Sequence, residues 1–207
     1  MAYDFNGTNQ FLEVGSAVVN RPCTMAVWAY LDNVTNPRDF VSVSSKTQLA
    51  VLRLNVNGTQ YRIADQGNVN AVANGGIVSA NVWNHYAGVF ASGSSRTPYT
   101  NGVAGAENTT TVAAITPTFT NIGAFYAGTA TAIQFMDGLI AEVGIWNAAL
   151  TAAEIASLAQ GMASDKIRPQ SLVFYAPLVR DLNDQKGGLA ITNNNGATVA
   201  NHPRIYP

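Results

Sequence analysis

The chain has 207 residues, of which 47% are hydrophobic and only 11% charged, with a formal net charge of −1. That length suits one domain with a substantial buried core, and a charge density under half the usual value of about 25% leaves Asn, Thr, Ser and Gly to carry the surface. The absence of any run of Lys or Arg argues against a nucleic-acid partner, and no apolar stretch approaches the roughly 18 residues that a membrane span needs.

In chain order, the opening residues Met-Ala-Tyr-Asp-Phe-Asn have neither the charged nor the apolar region of a signal peptide, so the chain is expected to be made and kept in the cytosol. Short strands are predicted at Phe11-Leu-Glu-Val14 and from Cys23 to Trp28. The single Cys23 falls in an alternating strand and reads as a small buried hydrophobe. Asn57-Gly58 lies between Leu49–Val56 and Thr59–Ala64, a strong short-range signal for a tight hairpin, and Asn101-Gly102 predicts a second one. Further short strands are expected through residues 77–91 and 109–126. Alternating apolar residues from Leu139 to Ile145 predict a half-buried strand. It is followed by Thr151-x-x-Glu154, a capping box that should open a helix running to about Met162. Four Asn-x-Thr triplets, at Asn6, Asn33, Asn57 and Asn108, read as turn chemistry. The expected class is all-β, an antiparallel sandwich with one short helix near 152–162.

Six phrases together resemble the laminin-G-like, concanavalin A-like lectin-glucanase family: Phe5-Asn-Gly7 with Phe11–Val14; Cys23–Trp28; Trp83-Asn-His85-Tyr-Ala-Gly-Val-Phe90; Tyr99-Thr-Asn101-Gly102; Asn121-Ile-Gly123; and Phe135–Trp146 closed by Ala149–Ile155. The resemblance implies a jelly-roll sandwich with a family-like core over residues 3–162. Its tail departs from that pattern. After a short polar linker at 163–170, Ser171-Leu-Val-Phe-Tyr-Ala-Pro-Leu178, Asp181–Asp184 and Gly196–Ala200 look like phrases that open ordinary family members. The order therefore looks circularly permuted, with residues 171–200 completing the sandwich and 201–207 forming a terminal arm, an easy rearrangement when chain ends lie close together. The segment could instead enter a neighbour's sandwich, which would make the protein self-associate.

The residues argue against catalysis. Glucanases of this fold need paired carboxylates flanking the scissile bond, yet the four glutamates, Glu13, Glu107, Glu142 and Glu154, have no acidic residue two positions away. No Gly-x-Ser-x-Gly elbow accompanies His85, and two histidines with one cysteine offer no zinc spacing. Asp181 and Asp184 are the pair that could share a calcium ion; no other cofactor is expected. Trp28, Trp83 and Trp146 are assigned to the core or its edge. Tyr61, Tyr99, Phe125 and Tyr126 are then the expected exposed aromatics for a sugar or protein surface, and His202, Arg204 and Tyr206 the contact residues of the arm.

The terminal Gly-Ala-Thr-Val-Ala-x-His-Pro-Arg-Ile-Tyr is similar to sandwich proteins of tailed-bacteriophage structural regions. That resemblance implies a non-enzymatic virion protein, a head decoration or capsid-associated protein assembled in the host cytoplasm and held by contacts with capsid proteins or with itself. The alternative is a carbohydrate- or receptor-binding module of a fibre or surface protein.

Overall fold

The computed structural model describes residues 1–18, 20–48 and 51–203. In chain order the strands are β1 (Ala2–Asn6), β2 (Phe11–Gly15), β3 (Cys23–Leu31), β4 (Arg38–Ser44), β5 (Val51–Asn57) and β6 (Gln60–Gln66). Next come β7 (Asn70–Ile77), β8 (Trp83–Ser92), β9 (Ser95–Thr100), β10 (Val103–Ala104), β11 (Phe119–Ile122), β12 (Phe125–Tyr126) and β13 (Ala132–Ile133). The long strand β14 (Asp137–Trp146) precedes the helix α1 (Ala152–Ala159), and the tail supplies β15 (Leu172–Ala176), β16 (Thr192–Asn194) and β17 (Thr198–Ala200). They form two large antiparallel sheets. The first has the order β10-β9-β8-β3-β14-β1-β17, with β15 also pairing β14; the second has the order β16-β2-β11-β4-β5-β6-β7. The small hairpin β12–β13 stands apart. The all-β sandwich expected from the sequence is present.

The main core lies between the sheets and follows from strand alternation. In β3, Cys23, Met25, Val27, Ala29 and Leu31 all enter it, so the intervening residues face outward. Across the core, Phe40 stacks on Tyr86 at 4.8 Å and Tyr61 lies 4.7 Å from Tyr86, while the Tyr61 hydroxyl donates to Ala87 O at 2.9 Å on the opposite sheet. Gly88 permits the close approach there, because a Cβ would meet Leu54 Cδ2 at 2.6 Å.

Both hairpins exist, with one shift. Asn101 (φ 50) and Gly102 (φ 81) are the two central residues between Thr100 and Val103, both left-handed as a type I′ turn requires. In the first hairpin Asn57 pairs Gln60, so the turn is Gly58-Thr59, one residue later than the Asn-Gly dipeptide suggests, with Gly58 alone at positive φ. The capping box of α1 is complete: Glu154 N donates to Thr151 Oγ1 and Thr151 N to Glu154 Oε2. The helix stops at Ala159, short of the expected Met162. Gly161 (φ 94) lets its own N–H reach Leu158 O and that of Met162 reach Ser157 O, a Schellman closure that ends the helix early.

The tail pairs within the chain: β15 with the second half of β14, β16 with β2, and β17 with β1. Phe174, Ala176 and Leu178 enter the main core. Residues 163–170, read as a polar linker, are instead packed. They hold a 3₁₀ turn at Ser164–Lys166, bury Ala163 and Ile167, and give the buried Trp146 indole its acceptor, Ile167 O at 2.8 Å. Arg168 clamps Glu154 through Nε at 2.8 Å and Nη2 at 2.6 Å.

Removing the buried ring in Phe174→Ala should cost about 3–5 kcal/mol, whereas removing the exposed cap in Thr151→Ala should cost about 1 kcal/mol. Urea unfolding of the two variants measures the difference; equal losses would mean that the tail strand is not part of the cooperative core.

Candidate functional site

The outward face of the first sheet is arranged in cross-strand rows. One row runs Trp83, Tyr30, Leu139, Asp4, Thr198 over five strands. The next, nearer the helix, runs His85, Trp28, Ala141. Because β3 sends its odd-numbered residues into the core, Trp28 and Tyr30 must point out, and both are half-buried, as are Trp83, Leu139 and Asp4. The Trp28 and His85 rings lie 5.5 Å apart and those of Tyr30 and Trp83 5.9 Å apart, giving a ladder of two aromatic rungs. The rungs are separated by two residues of strand rise, about 7 Å.

The ladder has different ends. Toward α1 the outward residues become small: Ala26 and Ala87 join Ile155 and Leu158 in a second apolar cluster that the helix covers. Toward the other end they become acidic. Asp32 lies beside Asp137, its N–H donating to Asp137 O at 3.1 Å, and Asn6 pairs Asp137 in register. Asp137 is already engaged, by Arg38 Nη2 at 3.3 Å and by Asn33 Nδ2. Partial burial raises the Asp4 carboxyl, with repulsion from Asp32 and Asp137 adding to it, and burial followed by repulsion from Asp137 raises Asp32. Tyr30 Oη donates to Asn81 Oδ1 at 3.4 Å.

The residues expected to form an exposed surface are not exposed. Tyr61, Phe125, Tyr126 and Tyr99 are only 0%, 3%, 4% and 8% accessible. Tyr61 is an inter-sheet strut, and Tyr99 belongs to the cluster under α1. Phe125 and Tyr126 come from the hairpin that folds over the outer face of the second sheet. There Phe125 lies 4.1 Å under the Arg53 guanidinium, while Tyr126 packs edge-on to Phe11 and donates to Glu13. His202 is placed against the body, Nε2 3.1 Å from Glu142 Oε1; Arg204 and Tyr206 lie outside the described residues. The Asp184 carboxylate is engaged by its own loop: its Oδ1 accepts from the N–H groups of Tyr175, Lys186 and Gly187 and its Oδ2 from Leu189. Asp181 is exposed and accepts only a long 3.4 Å bond from Asn183 N. Among the described residues no group of three His, Cys, Asp or Glu side chains could hold a metal.

Trp28 and Trp83, assigned to the core or its edge, are half-buried on the outer face, and sequence reasoning did not single out Tyr30 beside them. Alternation was the available signal, since Met25, Val27 and Leu31 in the core leave Trp28 and Tyr30 no place but the outside.

The four glutamates are all engaged structurally. Glu13 bonds Lys46 and Tyr126, Glu107 accepts from Ser95, Glu154 caps α1, and the buried Glu142 accepts from the Tyr175 hydroxyl at 2.6 Å. A separate cleft of about 300 Å³ is lined by Ala17, Val18, Asn20, Arg21, Asn147 and Val173. Its one charged group, Arg21, is already held by Asp65 and by Ala113 O.

Two packed antiparallel sheets, a single capped helix on one outer face and a hairpin closing the other define a lectin-type jelly roll. The chain belongs to the Concanavalin A-like lectin/glucanases superfamily, whose model matches residues 6–156. Solved structures share the fold at low identity. A candidate carbohydrate-binding protein from Bacteroides ovatus aligns with 99% of this chain at 16% identity and a TM-score of 0.73, the chain spanning 61% of that protein. The heptameric SAP-like pentraxin of Limulus polyphemus aligns with 97% of this chain and 94% of its own at 16% identity and a TM-score of 0.70. Domain 4 of an extracellular arabinanase from Geobacillus stearothermophilus, solved with arabinotriose, aligns with 77% of this chain and 76% of its own at 17% identity and a TM-score of 0.62. No curated protein matches in sequence.

His85, sealed beneath Trp28, has its imidazole pushed down to about 3 by burial, against an ordinary value of 6.5, so it is neutral in the fold. A folded value below the unfolded one means that its contribution is intact above pH 6.5 and is lost as the pH falls from there toward 3. His85→Leu should therefore flatten that acid limb of the stability curve by up to about 1.4 kcal/mol per pH unit. Denaturant unfolding of both proteins at pH 7, 5.5 and 4.5 measures it.

Proposed function

We propose that the protein is a non-catalytic binding module whose ligand is a carbohydrate, taken on the outer face of the first sheet. The observation that carries this reading is the set of half-exposed rings Trp28, Tyr30 and Trp83, Trp28 backed by the buried His85, fixed on a rigid sheet and flanked by Asp4, Asn6 and Asn81. Sugar rings present an apolar C–H face and a polar rim of hydroxyls. Aromatic faces take the first, and carboxylate and amide oxygens accept from the second. The sheet holds the rings in place, so little order has to be imposed on binding. The superfamily and the likeness to carbohydrate-binding proteins support the reading, as does the engagement of every glutamate in a structural contact.

A second reading, a structural protein of a virus particle, draws on a different surface. Ile77 and Val103 are 72% and 71% exposed, at neighbouring edges of the two sheets. Exposed apolar tips of this kind suit burial against another protein of the particle, or against a second copy of the chain.

Calorimetric titration with neutral glucan, mannan, xylan and arabinan oligosaccharides tests the first reading. One of them should bind, and Trp83→Ala or Trp28→Ala should each weaken it about tenfold, or 1.4 kcal/mol, measured below the melting transition of each variant, since both rings are half-buried. Binding that survives the double substitution would move the site elsewhere. Light scattering tests the second reading: a particle protein should self-associate, and Ile77→Ser with Val103→Ser should dissociate it.

A further inference from the structure

We propose that the acidic end of the ladder selects glycans bearing free amines, such as glucosamine oligomers, over neutral and anionic chains; this rests on the ladder being the sugar-binding face. Asp4 stands in the same cross-strand row as Trp83, Tyr30 and Leu139, and Asp32, the first residue after β3 ends at Leu31, is tied beside Asp137 by its N–H to Asp137 O at 3.1 Å. A sugar stacked on the Tyr30–Trp83 rung therefore places its neighbouring unit beside both carboxylates.

The charges there are unbalanced. Of the three aspartates, Asp137 is matched by Arg38, while Asp4 and Asp32 have no cation within ion-pair distance among the described residues. Burial raises both carboxyls, with repulsion from Asp32 and Asp137 adding at Asp4 and from Asp137 at Asp32, so a cation arriving there relieves a repulsion already present. An ammonium on the ligand supplies that cation and can donate hydrogen bonds to carboxylate oxygens. A carboxylated or sulfated sugar would add to the repulsion. The positions are partly solvated, so the preference is modest and should weaken as salt rises.

The test titrates the full chain with glucosamine and N-acetylglucosamine oligomers of equal length, which differ in charge but share the ring face. The glucosamine oligomer should bind about 3- to 10-fold more tightly at low salt, and the ratio should shrink at about 0.5 M salt. In the double variant Asp4→Asn, Asp32→Asn the ratio should fall to near one. Equal affinities for the two oligomers, or a ratio that survives the double substitution, would overturn the amine selection while leaving the sugar-binding reading standing. If neither oligomer nor any neutral chain binds, the reading of the ladder itself has failed and the selection falls with it.

Discussion

The sandwich depends on β14 being hydrogen-bonded along both edges by segments from three parts of the chain. One edge belongs entirely to β3, but the other is divided, β1 taking Asp137–Ile140 and β15 taking Val143–Trp146. Where the divided edge passes from β1 to β15, the pairing of β14 with β3 on the other edge carries a bulge between Ala141 and Gly144. Glu142 occupies it at φ 56, a conformation that costs a non-glycine residue about 1–3 kcal/mol. The strain is offset locally. The turned-in carboxylate accepts from the Tyr175 hydroxyl and faces His202, while its N–H donates to Pro177 O at 3.3 Å, so the junction of β14 with the tail is closed by the same residue that breaks the register. The permuted-looking tail is thus connected to the rest through backbone pairing, core side chains and a buried carboxylate together.

What the sequence revealed and what it hid follow from the range of the interactions. The Asn101-Gly102 turn, the capping box and the final strand were legible because each is set by residues within a few positions of one another. The early stop of α1 was nearly legible, since Gly161 marks it. The fate of individual aromatics was not. Tyr61 and Tyr126 both sit in short strands, and nothing local says that one faces the opposite sheet while the other is carried over the second sheet's outer face by a loop. Asp184 looked like a ligand because its four N–H donors are assembled only when its loop closes. The aromatic ladder could have been read, since the odd-numbered apolar positions of β3 define its inner face. Assigning Trp28 and Trp83 to the core or its edge by family phrase overrode that periodicity.

The two outer faces differ in how far the chain itself already covers them. On the second sheet the hairpin β12–β13 lays Phe125 over Arg53 and Tyr126 against Phe11 and Phe119, while Arg53 also donates to Asp39 at 3.1 Å and Gln134 at 3.0 Å. Every large group there already has an intramolecular partner, and a ligand would have to displace it.

On the first sheet the outcome is set by side-chain size along single strands. Ala26, Ala87 and Gly102 let α1 approach so closely that a Cβ on Gly102 would meet Ala156 Cα at 3.2 Å. Two residues along β3 from Ala26 the outward position becomes Trp28, and two further on Tyr30, each paired across to a ring on β8. A helix cannot lie flat over both the small and the large rows, so cover ends where the rings begin. The small residues that seat α1 thereby create the boundary at which a rigid, half-exposed aromatic surface starts, and that surface keeps free energy of burial in reserve for a partner from outside the chain.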